Sequence, residues 1–244
     1  MARQNTSVVV IPSYNEAENL AEVVAAVRKL GLSVIVVDDN SPDGTGAIAE
    51  RLAASDPEVQ AVHRASKGGL GPAYARGFAT ALAAGFEQIC QMDADFSHDP
   101  NDLPRLLEAL EAGADLALGS RYVTGGGTGG WPWSRQLISR LGNAYARAAL
   151  GIPIRDATSG FRAFRAGTLR MARPESCQAS GYGFQVEMAW RALQAGHSVQ
   201  EVPITFHERR AGRSKMTPGI ALEAARLLTV WGFRRRLGQA STHA

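Results

Sequence analysis

The chain has 244 residues, 45% hydrophobic and 20% charged, the balance of a globular protein with room for a substantial core. No run reaches the roughly 18 uninterrupted apolar residues of a membrane span, and the first apolar stretch, Val8 to Ile11, is too short for a secretion signal, which predicts a cytoplasmic protein. The net charge of +3 is uneven: from Thr205 onward eight Arg or Lys face only two acids. That surplus predicts an anionic partner, phosphate or an acidic membrane surface, and without base-stacking aromatics it excludes nucleic acid.

Strands and helices alternate through the first half. Val8-Ile11 reads as a buried strand, followed by a helix from Glu16 to Leu30 with Asn15 as N-cap and Gly31 as its stop. Val34-Val37, Val59-His63, Gln88-Met92 and Leu116-Gly119 read as further strands. The intervening helices are predicted over Thr45 to Ala54, Leu70 to Ala84 and Asp102 to Ala112. Cys90, in one of these apolar runs, reads as a reduced core residue, and Cys177 joins no ligand pattern.

The second half is less regular. Gly125 to Gly130 holds five glycines in six residues and predicts a mobile loop. Ser134 to Leu150 reads as an amphipathic helix with Leu137, Leu141, Tyr145 and Ala148 on one side. Thr158 to Phe164 is turn-like, Tyr182 to Ala195 helical, and Val199-Ile204 a last strand. Ile220 to Phe233 carries Ile220, Ala224, Leu227, Leu228 and Trp231 at helical spacing. Both of these apolar stripes are flanked by arginines, so each fits either the core or a membrane interface. No linker or repeat divides the chain, which predicts one domain over 1–244, with a core over about 7–215 and a C-terminal helix and basic tail over 216–244.

Continuous apolar strands alternating with helices predict an α/β fold with a mostly parallel sheet covered on both faces, and ligands on such sheets sit beyond the carboxyl ends of the strands. Three polar clusters fall there: Pro12 to Glu16, Asp38 to Gly44, and Asp93-Ala94-Asp95. Two carboxylates one residue apart repel each other unless a cation lies between them. Mg²⁺ or Mn²⁺ on Asp93 and Asp95 would remove that cost and meet the oxygens of a diphosphate. The first strand lacks the glycine fingerprint of a dinucleotide site, which argues against NAD or FAD. His98 fits a ligand or a helix-entry hydrogen bond equally, and His63 and His197 carry no functional reading.

Taken together and in order, Val10-Ile11-Pro12-Ser13-Tyr14-Asn15-Glu16, Val37 to Thr45, Met92 to Asp95, Gly119-Ser120-Arg121-Tyr122 and Thr158-Ser159-Gly160-Phe161 resemble the inverting family 2 glycosyltransferases of GT-A fold. Within that family the closest resemblance is to the branch that makes dolichyl- or polyprenyl-phosphate mannose, over about Ser7 to Lys215. The resemblance implies transfer of mannose from GDP-mannose to a polyprenyl phosphate at the cytoplasmic face of a membrane, with Mg²⁺ or Mn²⁺ as cofactor. A separate membrane-anchored protein is a further implied partner.

The resemblance also implies roles. Pro12, Tyr14, Glu16, Val37 and Asp39 would line the donor nucleotide, and Asp93, Ala94 and Asp95 the donor diphosphate and metal. Arg121, Arg135 and Ser139 would contact the acceptor phosphate, and Arg209 and Lys215 would close over the donor phosphates. Asp95, Arg121 and Arg135 would be the catalytic set. Ser97 stands where some relatives carry a glutamine ligand, which leaves the third protein ligand open, with water as the alternative. A phosphate acceptor is already anionic, so no dedicated base is expected. UDP-glucose or UDP-N-acetylglucosamine as donor, and a non-catalytic nucleotide-sugar sensor, are the competing readings.

Overall fold

In the computed structural model, residues 5–179, 181–210 and 218–236 are described. Four strands pair in parallel at one side of a seven-stranded sheet: β3 (Val59–His63), β2 (Ser33–Asp38), β1 (Ser7–Ser13) and β4 (Gln88–Gln91). Then β7 (Arg162–Arg165) inserts antiparallel between β4 and β5 (Leu116–Ser120), and β8 (Val199–Pro203) closes the edge parallel to β5. The sheet is therefore mostly parallel, as the strand pattern predicts.

Alternation along the strands divides the core. Val8, Val10, Ile35 and Val37 face α3 (Leu70–Ala83), α7 (Gly181–Gln194) and their neighbours, while Val9, Ile11, Val34 and Val36 face α1 (Leu20–Lys29) and α4 (Leu103–Glu111). Gly77 is what lets α3 lie close on β1, because a Cβ there would sit 2.3 Å from Val10 Cγ1.

Two expectations need correction. The first helix begins at Leu20 rather than Glu16, and Asn15 is not its cap but a left-handed residue with φ 56°. The N–H groups that a helix starting at Glu16 would leave without an intrahelical partner are satisfied across the rim. Ser41 Oγ accepts from Asn15, Thr45 Oγ1 from Glu16 and Asp43 Oδ2 from Ala17. The glycine run contains a short strand, β6 (Gly127–Thr128), paired in parallel with β9 (Thr205–Phe206). A Cβ on Gly126 would lie 2.4 Å from the Ser120 carbonyl oxygen, so that close approach requires glycine.

The structure also separates the two amphipathic helices, which the sequence left open. In α5 (Trp133–Leu150) the stripe of Leu137, Leu141, Tyr145 and Ala148 points to solvent, and the helix packs through Asn143, Ala146 and Leu150. In α8 (Pro218–Arg236) Leu228 and Trp231 are buried, with Trp231 stacked on Trp190 at 5.5 Å. In α8 Leu228 and Trp231 belong to the core with Ala224 and Leu227 half-buried, whereas the α5 stripe is surface. No described helix is long and apolar enough to cross a membrane.

Candidate active site

The parallel strands all end on one edge of the sheet, and because β7 runs the other way its preceding loop, Thr158 to Gly160, begins on that same edge. This brings residues from distant sequence around a cleft of about 470 Å³. Pro12, Tyr14 and Glu16 come from the β1 end, Asp39 from the β2 end, Lys67 to Gly69 from the loop after β3, and Asp93 to Asp95 and His98 from the β4 end. Arg121, Tyr182, Gln185, Phe206 and Arg209 complete the wall.

The two carboxylates are fixed before any ligand arrives. Tyr74 donates its hydroxyl to Asp93 Oδ1 at 3.0 Å, and burial together with the Asp93 charge holds that phenol protonated, well above its ordinary range. Asp95, nearly buried, accepts the Ser97 N–H on Oδ1 at 3.0 Å. Between them Phe96 is left-handed, with φ 57°, a conformation that costs a bulky residue about 1–3 kcal/mol. The strained turn is closed by the Asp95–Ser97 hydrogen bond, and Asp95 lines the cleft.

A divalent cation fits these residues. The donor set is all oxygen, and a cationic group already stands at the outer face of Asp95: Arg209 Nη1 is 3.5 Å from Oδ2. Among the described residues no third Asp, Glu, His or Cys completes a protein cage, so substrate phosphate oxygens and water would fill the remaining positions. Ser97 Oγ is buried with no hydrogen-bond partner among the described residues. His98 does not enter a helix as one reading expected. It is buried, stacked on Phe161 at 5.0 Å, and burial pushes its imidazole down to about 4.

Arg121 lines the cleft but is committed to a partner that the sequence did not suggest. Asp156 takes Nε at 2.7 Å, Nη2 at 2.6 Å and the Arg121 backbone N–H at 2.9 Å. Burial works against the guanidinium charge, and this bidentate carboxylate outweighs it and holds the group charged. Arg135 lies outside the cleft wall on the first turn of α5, over the Trp131 ring at 3.8 Å and 3.6 Å from Glu208 Oε1. Ser139 is one turn further along α5, where its carbonyl accepts from Asn143.

Of the remaining sequence-predicted residues, Val37 has its side chain fully buried in the core beneath α3 and does not line the cleft. Asp39 is on the rim, tied to Arg64 at 2.5 Å and to the Gly68 N–H at 3.2 Å. Lys215 lies outside the described residues, as do Arg213 and Ser214. Lys67, which extends its Nζ over the Tyr14 ring at 4.0 Å, Tyr182 and Gln185 were not singled out by sequence. None stands in a motif, and their place follows only from the tertiary fold.

The family model for glycosyl transferase family 2 matches residues 8–170. The chain belongs to glycosyl transferase family 2. This glycosyltransferase is 48% identical to the polyprenol monophosphomannose synthase of Mycolicibacterium smegmatis over 96% of its own length and 89% of the relative's. It is also 48% identical to the undecaprenyl-phosphate mannosyltransferase of Micrococcus luteus, over 93% and 94% of the two chains. Among solved structures, glucosyl-3-phosphoglycerate synthase from Mycobacterium tuberculosis, crystallised with Mn²⁺, UDP and its product, superposes with a TM-score of 0.65 at 22% identity, covering 98% of this chain and 82% of that one. The sheet order and flanking helices are those of the GT-A fold.

Proposed function

We propose that this glycosyltransferase moves mannose from GDP-mannose to a polyprenyl monophosphate, with inversion, at the cytoplasmic face of a membrane. The observation that carries the reading is a cleft where Asp93 and Asp95 meet Arg209 and Lys67, in a chain 48% identical to two polyprenyl-phosphate mannosyltransferases. Carboxylates for a cation and cations for an anion are the two demands of a nucleoside diphosphate leaving group.

In the transfer, an acceptor phosphate oxygen attacks the anomeric carbon on the face opposite the diphosphate. That bond forms as the bond to the β-phosphate oxygen breaks, and its electron pair leaves with GDP. The acceptor oxygen carries no proton to remove, so positioning and charge stabilisation are the whole task. A divalent cation held by Asp93 and Asp95 would supply charge neutralisation at the diphosphate. Arg209, beside Asp95, adds to that clamp, and Tyr14 with Lys67 shapes the nucleotide side. Arg135 and Ser139 guide the acceptor phosphate along α5, while Arg121, neutralised by Asp156, holds the wall between the two substrates.

The lipid tail is met by α5. Trp133 is 76% exposed and Ile138 71%, with Leu141 and Tyr145 on the same surface and Arg140 and Arg147 nearby, an arrangement suited to lying in an anionic interface. Trp131 and Phe206, ring centroids 5.1 Å apart, join this helix to the cleft.

Mass spectrometry of products from polyprenyl phosphate with GDP-mannose, UDP-glucose or UDP-N-acetylglucosamine, with Mg²⁺ or Mn²⁺, tests the reading. Polyprenyl-phosphate mannose from GDP-mannose alone is expected, with a β linkage by NMR. Turnover of a UDP-sugar in preference to GDP-mannose overturns it.

A further inference from the structure

Behind the carboxylates, two glutamines form a relay whose last group faces the cleft. Gln91, at the end of β4, donates both of its amide hydrogens: one to the Gly160 carbonyl at 2.9 Å, the other to Gln185 Oε1 at 2.7 Å. A carbonyl cannot donate, so Gly160 fixes which end of Gln91 is nitrogen, and Gln91 in turn fixes which end of Gln185 is oxygen. The Gln185 Nε2 group is left as a donor with no partner among the described residues, in a residue 1% exposed that lines the cleft.

The position is rigidly held. Arg162, fully buried, donates to the carbonyls of Ala157, Ser159 and Gln185 at 2.8, 2.9 and 2.7 Å, so one guanidinium pins both the Gly160 loop and the first turns of α7. A point built as a Cβ on Gly160 would have Gln185 Nε2 at 3.7 Å, Asp93 Oδ2 at 3.8 Å and His98 Cε1 at 3.8 Å. The space over Gly160 thus has a neutral donor on one side and an anionic acceptor on another.

That pairing selects its ligand. A phosphate oxygen would accept from Gln185 but has no hydrogen to give Asp93, and a cation on Asp93 would give the Gln185 amide hydrogens no acceptor. A hydroxyl satisfies both, donating to Asp93 Oδ2 while accepting from Gln185 Nε2. We propose that Gln185, set by Gln91 and Arg162, is the residue that reads a hydroxyl of the transferred sugar, and so a determinant of which hexose is accepted. This rests on the donor reading above and adds to it the group that distinguishes one sugar from another.

The test is kcat/KM for GDP-mannose and its 2-, 3-, 4- and 6-deoxy analogues, in the natural protein and in Gln185→Met. In the natural protein one analogue is expected to fall by about 10- to 100-fold, the worth of a hydrogen bond between a hydroxyl and buried partners. In Gln185→Met, GDP-mannose should fall to a similar degree and that analogue should lose nothing further. The other analogues should keep their own penalties, and the Kd for GDP should stay within about twofold. The proposal is overturned if the deoxy series is ranked identically in both proteins, or if GDP affinity falls in step with turnover. It is equally overturned if the natural protein penalises no deoxy analogue, a result that needs no variant to fold. Failure of the donor reading is visible separately, as absence of mannose transfer by the natural protein. The same deoxy series on whichever nucleotide sugar is then turned over still tests Gln185.

Discussion

The donor rim and the α5 surface solve opposite problems with the same residue types. On the rim, charge is buried and answered in advance: Arg121 by Asp156, Asp39 by Arg64, and Asp93 by the Tyr74 hydroxyl. On α5, Arg135 is 40% exposed, rests on an aromatic face and is loosely paired with Glu208, and Trp133 and Ile138 stand in solvent. A small, highly charged donor calls for preorganised dipoles in a dry cleft. A lipid in a bilayer instead calls for a surface that gains its contacts only on docking. Position relative to the sheet edge, rather than residue type, separates the arginine held by a buried carboxylate from the exposed one that is proposed to meet the acceptor.

Substitutions can break this contrast in stages. The largest effect on turnover is expected from Asp95→Ala, about 10³-fold in kcat, with the residual rate indifferent to Mn²⁺ or EDTA. A metal titration of initial rates checks it. Next, Asp156→Ala strands the buried Arg121 charge and should cost about 3–5 kcal/mol of stability. Pairing it with Arg121→Met should recover part of that loss in urea unfolding, as expected of contacting residues. Arg135→Ala, by contrast, should leave the melting temperature unchanged and raise KM for polyprenyl phosphate about tenfold with KM for GDP-mannose constant. The smallest effect on chemistry belongs to the double variant Trp133→Ser with Ile138→Ser. Its partition onto anionic vesicles should fall about tenfold or more, while its rate with a short, water-soluble prenyl phosphate stays at the natural level.

Most of the donor side was legible in the sequence because short loops after parallel strands have only one place to go. Asp39, Asp93, Asp95 and the β1 end reach the cleft for that reason alone. Val37 was matched by its motif, but motif matching does not give facing: a residue within a strand alternates with its neighbours, and here the alternation turns its side chain inward. Asp156, Lys67, Tyr182 and Gln185 were invisible because their roles depend on packing between segments far apart in the chain, with no spacing rule to expose them. The stripe on α5 was visible as a stripe. Which way it faced was not, because the helix is anchored by Asn143 and Ala146 rather than by its largest apolar residues.

The antiparallel β7 also sets the order in which the molecule can be assembled. As the chain leaves the ribosome, β1 to β4 can pair among themselves, but the open flank of β4 has no neighbour until residues 162–165 are made. During that interval β5 lacks its sheet partners, since among the described residues its neighbours are β7 and the still later β8. A half-synthesised chain therefore carries an unpaired sheet edge beside a polar rim, the kind of surface that invites association with other chains. Joining it requires long-range closure, which is slow relative to local helix formation. The strand that carries Arg162, and with it the fixing of the sugar side of the cleft, is thus also the piece that completes the sheet.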